Sequence, residues 1–291
     1  MQQVITSGIE QCKLEVDGLT IHVARKLVDK PRGPPLLLFN GIGANVELLS
    51  PLMHALPEIE CIAFDVPGIG SSSPSLIPLR FKGLSRLSKK IINYLGCPEV
   101  DVLGVSWGGG LAQEFAYRQA HYCRRLVLVA TSPGAVMIPG HPRVFMKLST
   151  PKRYLDPDYM SSIAHDIYGG ELRNNPEKIR TILAQVKNQQ NSRGYLYQLM
   201  AIAGWTSIHW LHKLIQPTLI IGGLDDPLVP IANARLLHAR IPDSRLIEIN
   251  CGHLLLLTKT EEVAPRITAF LTGRPPRNAV KLAGASKANA Q

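Results

Sequence analysis

The sequence predicts an α/β fold in which a mainly parallel β-sheet is flanked by helices and a helical lid is inserted between two strands. Short apolar runs, typical of strands buried on both faces, alternate with segments of helical periodicity. From about residue 134 this alternation stops, and Pro-punctuated, helix-favouring segments rich in bulky apolar residues follow. We therefore expect residues 1–133 and 215–272 to form the sheet domain and residues 134–214 to form the lid.

The elements follow in order along the chain. Residues 14–16 and 19–24 alternate around Asp17-Gly18, a dipeptide suited to a type I′ hairpin, and predict an antiparallel start. Further strands are predicted at Leu36–Phe39, Cys61–Phe64, 100–103, 126–130, 219–221 and 246–249. Helices are predicted over 84–95, 109–119 and Ile231–Arg240.

Cysteine usage and hydropathy indicate a cytoplasmic protein. The five cysteines are odd in number and show neither a CxxC pattern nor the density of a disulfide-stapled fold. The first 26 residues contain no uninterrupted apolar run, so we expect no signal peptide. No later stretch reaches the roughly 18 consecutive apolar residues of a membrane span, so no integral membrane segment is expected.

The formal net charge of +10 is partly a property of the C-terminal tail. Residues 273–291 carry four basic side chains and no acidic one, and we predict this basic tail to be disordered. The remaining chain is only moderately basic and shows no basic helix or basic stretch interleaved with aromatics. This pattern argues against a nucleic-acid partner.

A strand, a tight turn and a helix surround a candidate nucleophile, Ser106. The predicted strand 100–103 leads into Gly104-Val105-Ser106-Trp107-Gly108, and a helical segment follows. This context fits the G-x-S-x-G nucleophile elbow, in which small flanking residues let the strand and helix approach closely. The serine hydroxyl then lies at a helix N-terminus, where free N–H groups favour developing negative charge.

A serine hydroxyl needs a base to remove its proton, and an acid to orient that base, in the chain order Ser, Asp, His. Strand 246–249 leads into Gly252-His253 at the carboxyl end of the strand, where ligands collect in parallel sheets. Of the nine histidines, only His253 has this placement. We interpret the others as surface or packing residues: His22, His54, His121, His141, His165, His209, His212 and His238.

Two adjacent aspartates compete for the role of the acid. Strand 219–221 leads into a loop that contains both Asp225 and Asp226. We favour Asp226, which lies three residues after Gly223, and keep Asp225 as the alternative that would cap or orient the turn. The acid would hold the histidine tautomer and stabilise the imidazolium ion.

A small-residue loop after Leu36–Phe39 is a candidate for one half of an oxyanion hole. Such a loop commonly supplies one backbone N–H, and the residue after the nucleophile supplies the other. The donors would be the backbone N–H groups of Ile42 and Trp107.

Together these segments resemble the α/β-hydrolase superfamily across nearly the whole chain. The resemblance includes Asp65-Val66-Pro67-Gly68-Ile69-Gly70 after the strand Cys61–Phe64. More narrowly, the loop from Phe39 to Asn45 and the elbow through Gly110 resemble the intracellular medium-chain-length polyhydroxyalkanoate depolymerases of pseudomonads. The loop begins Asn40-Gly41, where the wider superfamily usually has His-Gly, as expected for that group.

The resemblance implies a serine hydrolase that cleaves an intracellular medium-chain-length poly(3-hydroxyalkanoate) to 3-hydroxy fatty acids through an acyl-enzyme. It implies no metal and no cofactor. The implied partner is a hydrophobic polyester granule, and the implied location is the granule surface in the cytoplasm. A lid rich in Met, Leu and aromatic residues would suit both an aliphatic pocket and such a surface.

Other functions differ in the residues they require. A soluble carboxylesterase or lipase for small or medium acyl esters would use the same triad and stays open as the alternative. Dehalogenases and epoxide hydrolases of this fold are expected to carry an aspartate nucleophile, and polyester synthases a cysteine, so Ser106 argues against both. A non-enzymatic granule-coat protein would not need Ser, Asp and His in this order.

Overall fold

The computed structural model describes residues 4–6, 8–140, 142–149, 157–175 and 192–273. Within these residues, nine strands form one sheet in the order β1-β2-β3-β5-β4-β6-β7-β8-β9. The strands are β1 Val4–Thr6, β2 Ile9–Val16, β3 Leu19–Lys26, β4 Leu36–Phe39, β5 Cys61–Phe64, β6 Val100–Val105, β7 Cys123–Val129, β8 Thr218–Gly223 and β9 Ser244–Ile249.

The sheet is antiparallel at its N-terminal edge and parallel elsewhere. Strands β1, β2, β3 and β5 pair antiparallel in that order, while β5-β4-β6-β7-β8-β9 pair parallel. At the β2–β3 turn, Asp17 and Gly18 have φ angles of 53° and 73°, as a type I′ hairpin requires. The predicted hairpin and the mainly parallel sheet are confirmed.

Helices cover both faces of the sheet. They are α1 Ser50–His54, α2 Phe81–Tyr94, α3 Trp107–Arg118, α4 Pro142–Ser149, α5 Pro157–Tyr168, α6 Glu171–Asn174, α7 Ser192–Ile202, α8 Ile231–Arg240, α9 Leu255–Thr258 and α10 Thr260–Thr272. Short 3₁₀ helices lie at Val46–Leu49, Ala120–Tyr122 and Leu211–Lys213. The three predicted helices are confirmed as α2, α3 and α8, whereas α1, α9 and α10 were not predicted.

Strand periodicity builds two core layers, because successive side chains of a strand point to opposite faces. In β4, Leu37 and Phe39 pack in the layer shared with α2, α3 and α8. Leu36 and Leu38 pack in the other layer, against α1, α9 and α10. Covering both faces explains why the central strands are continuous apolar runs.

Helices α4 to α7 lie between β7 and β8, and we call the described residues of this region the β7–β8 segment. Its two ends meet in an antiparallel bridge between Gly134 and Thr206. Near the second end, the Trp205 indole N–H donates to Glu114 of α3 at 2.9 Å, and the Trp205 ring packs edge-on against Phe81 at 4.9 Å. The segment is thus anchored on α2 and α3.

The tail predicted over residues 273–291 lies outside the described residues beyond Gly273. Within the described ranges, no helix is long and apolar enough to cross a membrane.

Candidate active site

Ser106 lies on a strained turn between β6 and α3. Its φ and ψ angles are 55° and −120°, a conformation that non-glycine residues rarely adopt. The surrounding chain holds it there: the Ser106 backbone N–H donates to the Val129 carbonyl at 2.9 Å, and its carbonyl accepts from the Thr131 hydroxyl at 2.7 Å. The turn therefore fixes the side chain at the carboxyl edge of the sheet.

The glycines that flank Ser106 allow two close backbone approaches. A Cβ atom at Gly104 would lie 2.2 Å from the Gly108 carbonyl oxygen. A Cβ atom at Gly108 would lie 2.2 Å from the carbonyl oxygen of Phe39, at the end of β4. Only glycine fits at either position, so α3 begins directly beside the strand that leads into the Asn40-Gly41 loop.

The structure brings Ser106, His253 and Asp226 into one hydrogen-bonded chain. His253 Nε2 lies 3.0 Å from Ser106 Oγ, and His253 Nδ1 lies 2.7 Å from Asp226 Oδ2. The three residues come from loops after β6, β9 and β8, which all end at the same edge of the sheet. With Asp226 ionised, Nδ1–H donates to the carboxylate and leaves Nε2 free to accept the serine proton.

Both carboxylate oxygens of Asp226 have hydrogen-bond partners. Its side chain is fully buried, and Oδ1 accepts the backbone N–H groups of Leu228 and Val229 at 2.9 and 2.8 Å. Hydrogen bonds to buried carboxylate oxygens offset the loss of their contacts with water. The geometry can thus orient an imidazole and stabilise the imidazolium form.

Asp225, the alternative acid, points away from His253. Its carboxylate accepts the Gly170 backbone N–H at 2.7 Å and pairs with Arg173 at 2.8 Å. Burial raises the pKa of Asp225, but the Arg173 and Gly170 contacts outweigh it and lower that pKa below its usual value of 3.8. Asp225 therefore connects the β8 loop to the β7–β8 segment.

Tyr168 in α5 supports the histidine and was not predicted from the sequence. Its carbonyl accepts the His253 backbone N–H at 2.7 Å, and its ring stacks on the imidazole with a centroid distance of 6.3 Å. The two residues are far apart in the chain, and no motif marks Tyr168. The β7–β8 segment thus contacts the backbone as well as the ring of His253.

The two predicted oxyanion segments lie on either side of the nucleophile. A Cβ atom at Gly41 would lie 3.8 Å from Ser106 Cβ, so the loop that carries Ile42 passes beside the serine. Trp107 begins α3 immediately after Ser106, and its side chain is buried. The loop that contains Ile42 and the first residue of α3 therefore both adjoin Ser106.

A second buried Asp–His pair serves the fold instead. His22 Nδ1 lies 2.8 Å from Asp65 Oδ2, and Asp65 Oδ1 accepts the Val46 N–H at 2.8 Å. Oδ2 also accepts the Ser71 N–H at 3.0 Å. Asp65, the first residue of the Asp65–Gly70 motif, therefore ties its own loop to β3 and to the loop after β4.

Among the residues whose positions are described, no group of three or more His, Cys, Asp and Glu side chains could hold a metal ion. What the site offers instead is a hydroxyl, a base and an acid in series. This set can carry out acyl transfer to a serine oxygen.

Comparison with known proteins agrees with this fold. A family model described as the alpha/beta hydrolase fold matches residues 34–260. A poly(3-hydroxyalkanoate) depolymerase of Ectopseudomonas oleovorans is 49% identical over 259 residues, which cover 89% of this chain and 91% of that protein. A pimeloyl-[acyl-carrier protein] methyl ester esterase of Aromatoleum aromaticum is 28% identical, over 82% of this chain and 99% of its own.

Among solved structures, the enol-lactonase of Burkholderia xenovorans superposes with a TM-score of 0.75 at 20% identity. The match covers 90% of this chain and the whole of the lactonase.

The chain belongs to the α/β-hydrolase family, and it is a carboxylic ester hydrolase. The resemblance to this superfamily, and within it to a polyhydroxyalkanoate depolymerase, is confirmed.

Proposed function

We propose that this chain hydrolyses the ester bonds of an intracellular medium-chain-length poly(3-hydroxyalkanoate) and releases 3-hydroxy fatty acids. The observation that carries the ester chemistry is the hydrogen-bonded chain from Ser106 through His253 to Asp226. The polyester substrate is inferred from the 49% identity to a poly(3-hydroxyalkanoate) depolymerase.

The reaction proceeds in two acyl transfers. Ser106 Oγ attacks the ester carbonyl while His253 Nε2 takes the hydroxyl proton, and collapse of the tetrahedral intermediate breaks the bond to the leaving alkoxide. His253 returns the proton to that alkoxide, so the first product leaves as an alcohol. Water then gives a proton to His253 and attacks the acyl-enzyme to form a second tetrahedral intermediate. Its collapse breaks the bond between the acyl carbon and Ser106 Oγ, and His253 returns the proton to Oγ, which frees the acid and restores Ser106. Asp226 keeps Nδ1 protonated in both steps.

The backbone N–H groups of Ile42 and Trp107 bind the negative oxygen of each tetrahedral intermediate. Their proposed role is supported by the position of the Ile42 loop beside Ser106 and of Trp107 at the start of α3. Losing one such donor typically lowers turnover by about 10²- to 10³-fold.

Residues 134–214 act as a lid over this site, on a core made of residues 1–133 and 215–272. The proposal is supported by the contacts of the β7–β8 segment with two site loops. Tyr168 holds His253, and Gly170 and Arg173 hold Asp225. Cleavage then takes place in a cleft shielded from water, which strengthens the electrostatic interactions within it.

An apolar tip beside helix α7 would contact the polyester granule in the cytoplasm. Leu76 and Ile77 are 89% and 69% exposed, unusually high values for neighbouring aliphatic side chains. The Leu76 carbonyl accepts from Arg193 at 2.9 Å and from the Tyr197 hydroxyl at 3.3 Å, so the tip lies against α7. This helix exposes further apolar side chains, namely Leu196, Leu199 and Met200. An exposed apolar patch of this kind suits an insoluble apolar substrate.

A soluble carboxylesterase or lipase activity is the second candidate, and the 28% identity to a methyl ester esterase favours it. The same catalytic residues would serve both activities. Only the substrate separates them.

The test compares wild type with Ser106→Ala on isolated medium-chain polyester granules and on a short p-nitrophenyl ester. We expect the wild type to release soluble 3-hydroxy acids from granules and the variant to lose both activities. Cleavage of the soluble ester alone would overturn the polyester assignment and leave the esterase. Turnover by Ser106→Ala at the wild-type rate would overturn the serine mechanism.

A further inference from the structure

We propose that Gln198 of helix α7 is a positioning residue. It holds the two backbone segments of the oxyanion hole in place relative to Ser106. This inference rests on the proposed function, because it assigns a supporting role in the same reaction. Gln198 would act through Ile42 and Trp107, and needs no contact with substrate.

Gln198 contacts both segments at once. Its side-chain Oε1 accepts the Gly43 backbone N–H at 2.7 Å, and its own backbone carbonyl accepts the Trp107 indole N–H at 2.9 Å. The residue is only 3% exposed, so water competes little with either bond. One residue of the β7–β8 segment is therefore bonded to the loop before the nucleophile and to the residue after it.

The hydrogen bond between Gln198 and Gly43 holds a turn that could otherwise adopt two conformations. The Gly41 carbonyl accepts the Ala44 N–H at 3.2 Å, which closes a turn with Ile42 and Gly43 at its centre. Gly43 has a φ angle of 73°, as the third residue of a type II turn requires. Rotation of the Ile42–Gly43 peptide interconverts type I and type II turns, and Gln198 Oε1 holds the Gly43 N–H on one side.

Ile42 supplies the carbonyl of this peptide, and its own N–H belongs to the same turn. If the central peptide rotates, ψ of Ile42 and φ of Gly43 change together, and the turn is free to shift relative to Ser106. Oxyanion donors act only when they point at the position of the developing charge. Gln198 therefore stabilises the turn in the conformation that presents the Ile42 donor.

The bond to Trp107 holds the second donor in the same way. The Trp107 side chain is 4% exposed, and its ring packs edge-on against Phe81 at 4.9 Å. The indole N–H bond to Gln198 completes this anchorage on the side of α7. Since Trp107 starts α3, anchoring its side chain restricts movement of the backbone N–H that follows Ser106.

The test replaces the acceptor while keeping the shape of the side chain. Gln198→Met removes Oε1, retains a similar length, and leaves the backbone carbonyl that binds Trp107. The p-nitrophenyl ester is the substrate, and a fluorophosphonate titrates the active sites. We expect kcat per titrated site to fall by about 10- to 100-fold, since small misplacements of catalytic groups have effects of that order, with KM nearly unchanged.

Gln216→Met is the matched control. Gln216 is also buried, at 2% exposure, and its amide N–H donates to the Ala116 carbonyl at 3.1 Å. It lies before β8, at the opposite edge of the sheet from Ser106. We expect this variant to lower stability but to keep the wild-type kcat per titrated site.

A second readout is the affinity for an alkyl boronic acid, which forms a tetrahedral adduct with a negatively charged oxygen. Gln198→Met should weaken this affinity by about the same factor as kcat, because both report transition-state stabilisation. An unchanged kcat per site, a rise in KM alone, or an equal loss in Gln216→Met would each overturn the positioning role. Failure of the wild type to react with fluorophosphonate would overturn the proposed function itself.

Discussion

At the scale of residues, Asp225 and Asp226 are neighbours in the chain with opposite environments. The Asp226 side chain is fully buried and faces His253, while the Asp225 side chain is 46% exposed and faces Arg173. A carboxylate can orient the imidazole only where it reaches Nδ1. Two chemically identical side chains thus have different candidate roles. Asp226 orients the catalytic histidine, and Asp225 supports the loop.

We expect Asp226→Asn to lower kcat for the p-nitrophenyl ester by about 10³- to 10⁴-fold, because an amide no longer selects the reactive tautomer of His253. Asp225→Asn is the matched control, and its kcat should stay within a few-fold of wild type. Initial rates normalised by circular dichroism of the folded fraction would check both. Equal losses in the two variants would contradict the assignment of Asp226.

Sequence alone could predict Ser106 and His253 because Ser106 directly follows a strand and His253 lies in the short loop after the last strand. For the acid, it favoured Asp226 and kept Asp225 as the alternative, because a shift of one residue in a loop leaves no periodic signal. It could not find Gln198 or Tyr168. Their contacts with Trp107 and His253 join residues 91 and 85 positions apart, and depend on how the β7–β8 segment packs.

At the scale of elements, the loop between β5 and α2 carries both a buried anchor and an exposed tip. Asp65 ties the start of the loop to β3 and to Val46, and the exposed Leu76 and Ile77 lie farther along it. A rigid base lets a loop present apolar side chains to solvent without collapsing onto the core. Helix α7, which bonds the tip, also carries Gln198.

We expect Leu76→Ser combined with Ile77→Ser to weaken granule binding by about tenfold or more, because two aliphatic side chains lose their transfer free energy. Hydrolysis of the soluble p-nitrophenyl ester should be unchanged, since neither residue belongs to the site. Co-sedimentation with granules and release of 3-hydroxy acids would measure the effect.

Ile215→Ser is the control for this surface. Ile215 is 75% exposed, yet it precedes β8 and so lies at the opposite edge of the sheet from Ser106. Its granule binding should match wild type. If Ile215→Ser lost as much granule binding as the double variant, binding would be nonspecific. That result would contradict a granule-binding role for Leu76 and Ile77.

The sequence predicts the existence of strands and helices in the sheet domain better than it predicts where they begin and end. The strand predicted over residues 14–16 extends over Ile9–Val16, because its earlier part is mostly half-buried and lacks an apolar run. Helix α2 begins at Phe81, three residues before the predicted start, because Phe81 packs against Trp107 and Trp205. Both differences come from tertiary contacts or exposure that local patterns do not record.

At the scale of the whole molecule, two of the contacts between the β7–β8 segment and the core differ in how they depend on charge. Trp205 anchors it on α3 through Glu114, and the Asp225 carboxylate anchors it near the site through Gly170 and Arg173. The donor of the first contact, the Trp205 indole N–H, does not ionise. The second depends on the charge of Asp225, so acid should loosen the segment from the catalytic side.

We expect this anchor to be lost at low pH. The pKa of Asp225 is lowered in the folded protein, against the opposing effect of burial, by Arg173 and Gly170. A lowered carboxyl pKa stabilises the fold above the usual value of 3.8, and the stabilisation disappears as pH falls through the lowered pKa. Asp225→Asn should therefore unfold at a lower temperature than wild type at pH 6, with the difference shrinking below pH 4.

The difference at pH 6 should be small, about 1 kcal/mol or less, because solvent screens a half-exposed ion pair. Scanning calorimetry of wild type and Asp225→Asn across this range would measure it, with Asp29→Asn in the exposed β3–β4 loop as the control. Hydrogen exchange at Gly170 would show where the loss occurs, because its N–H donates directly to the Asp225 carboxylate. A stability difference that grew toward low pH would contradict the argument, since it would mean that Asp225 stabilises the fold in its protonated form.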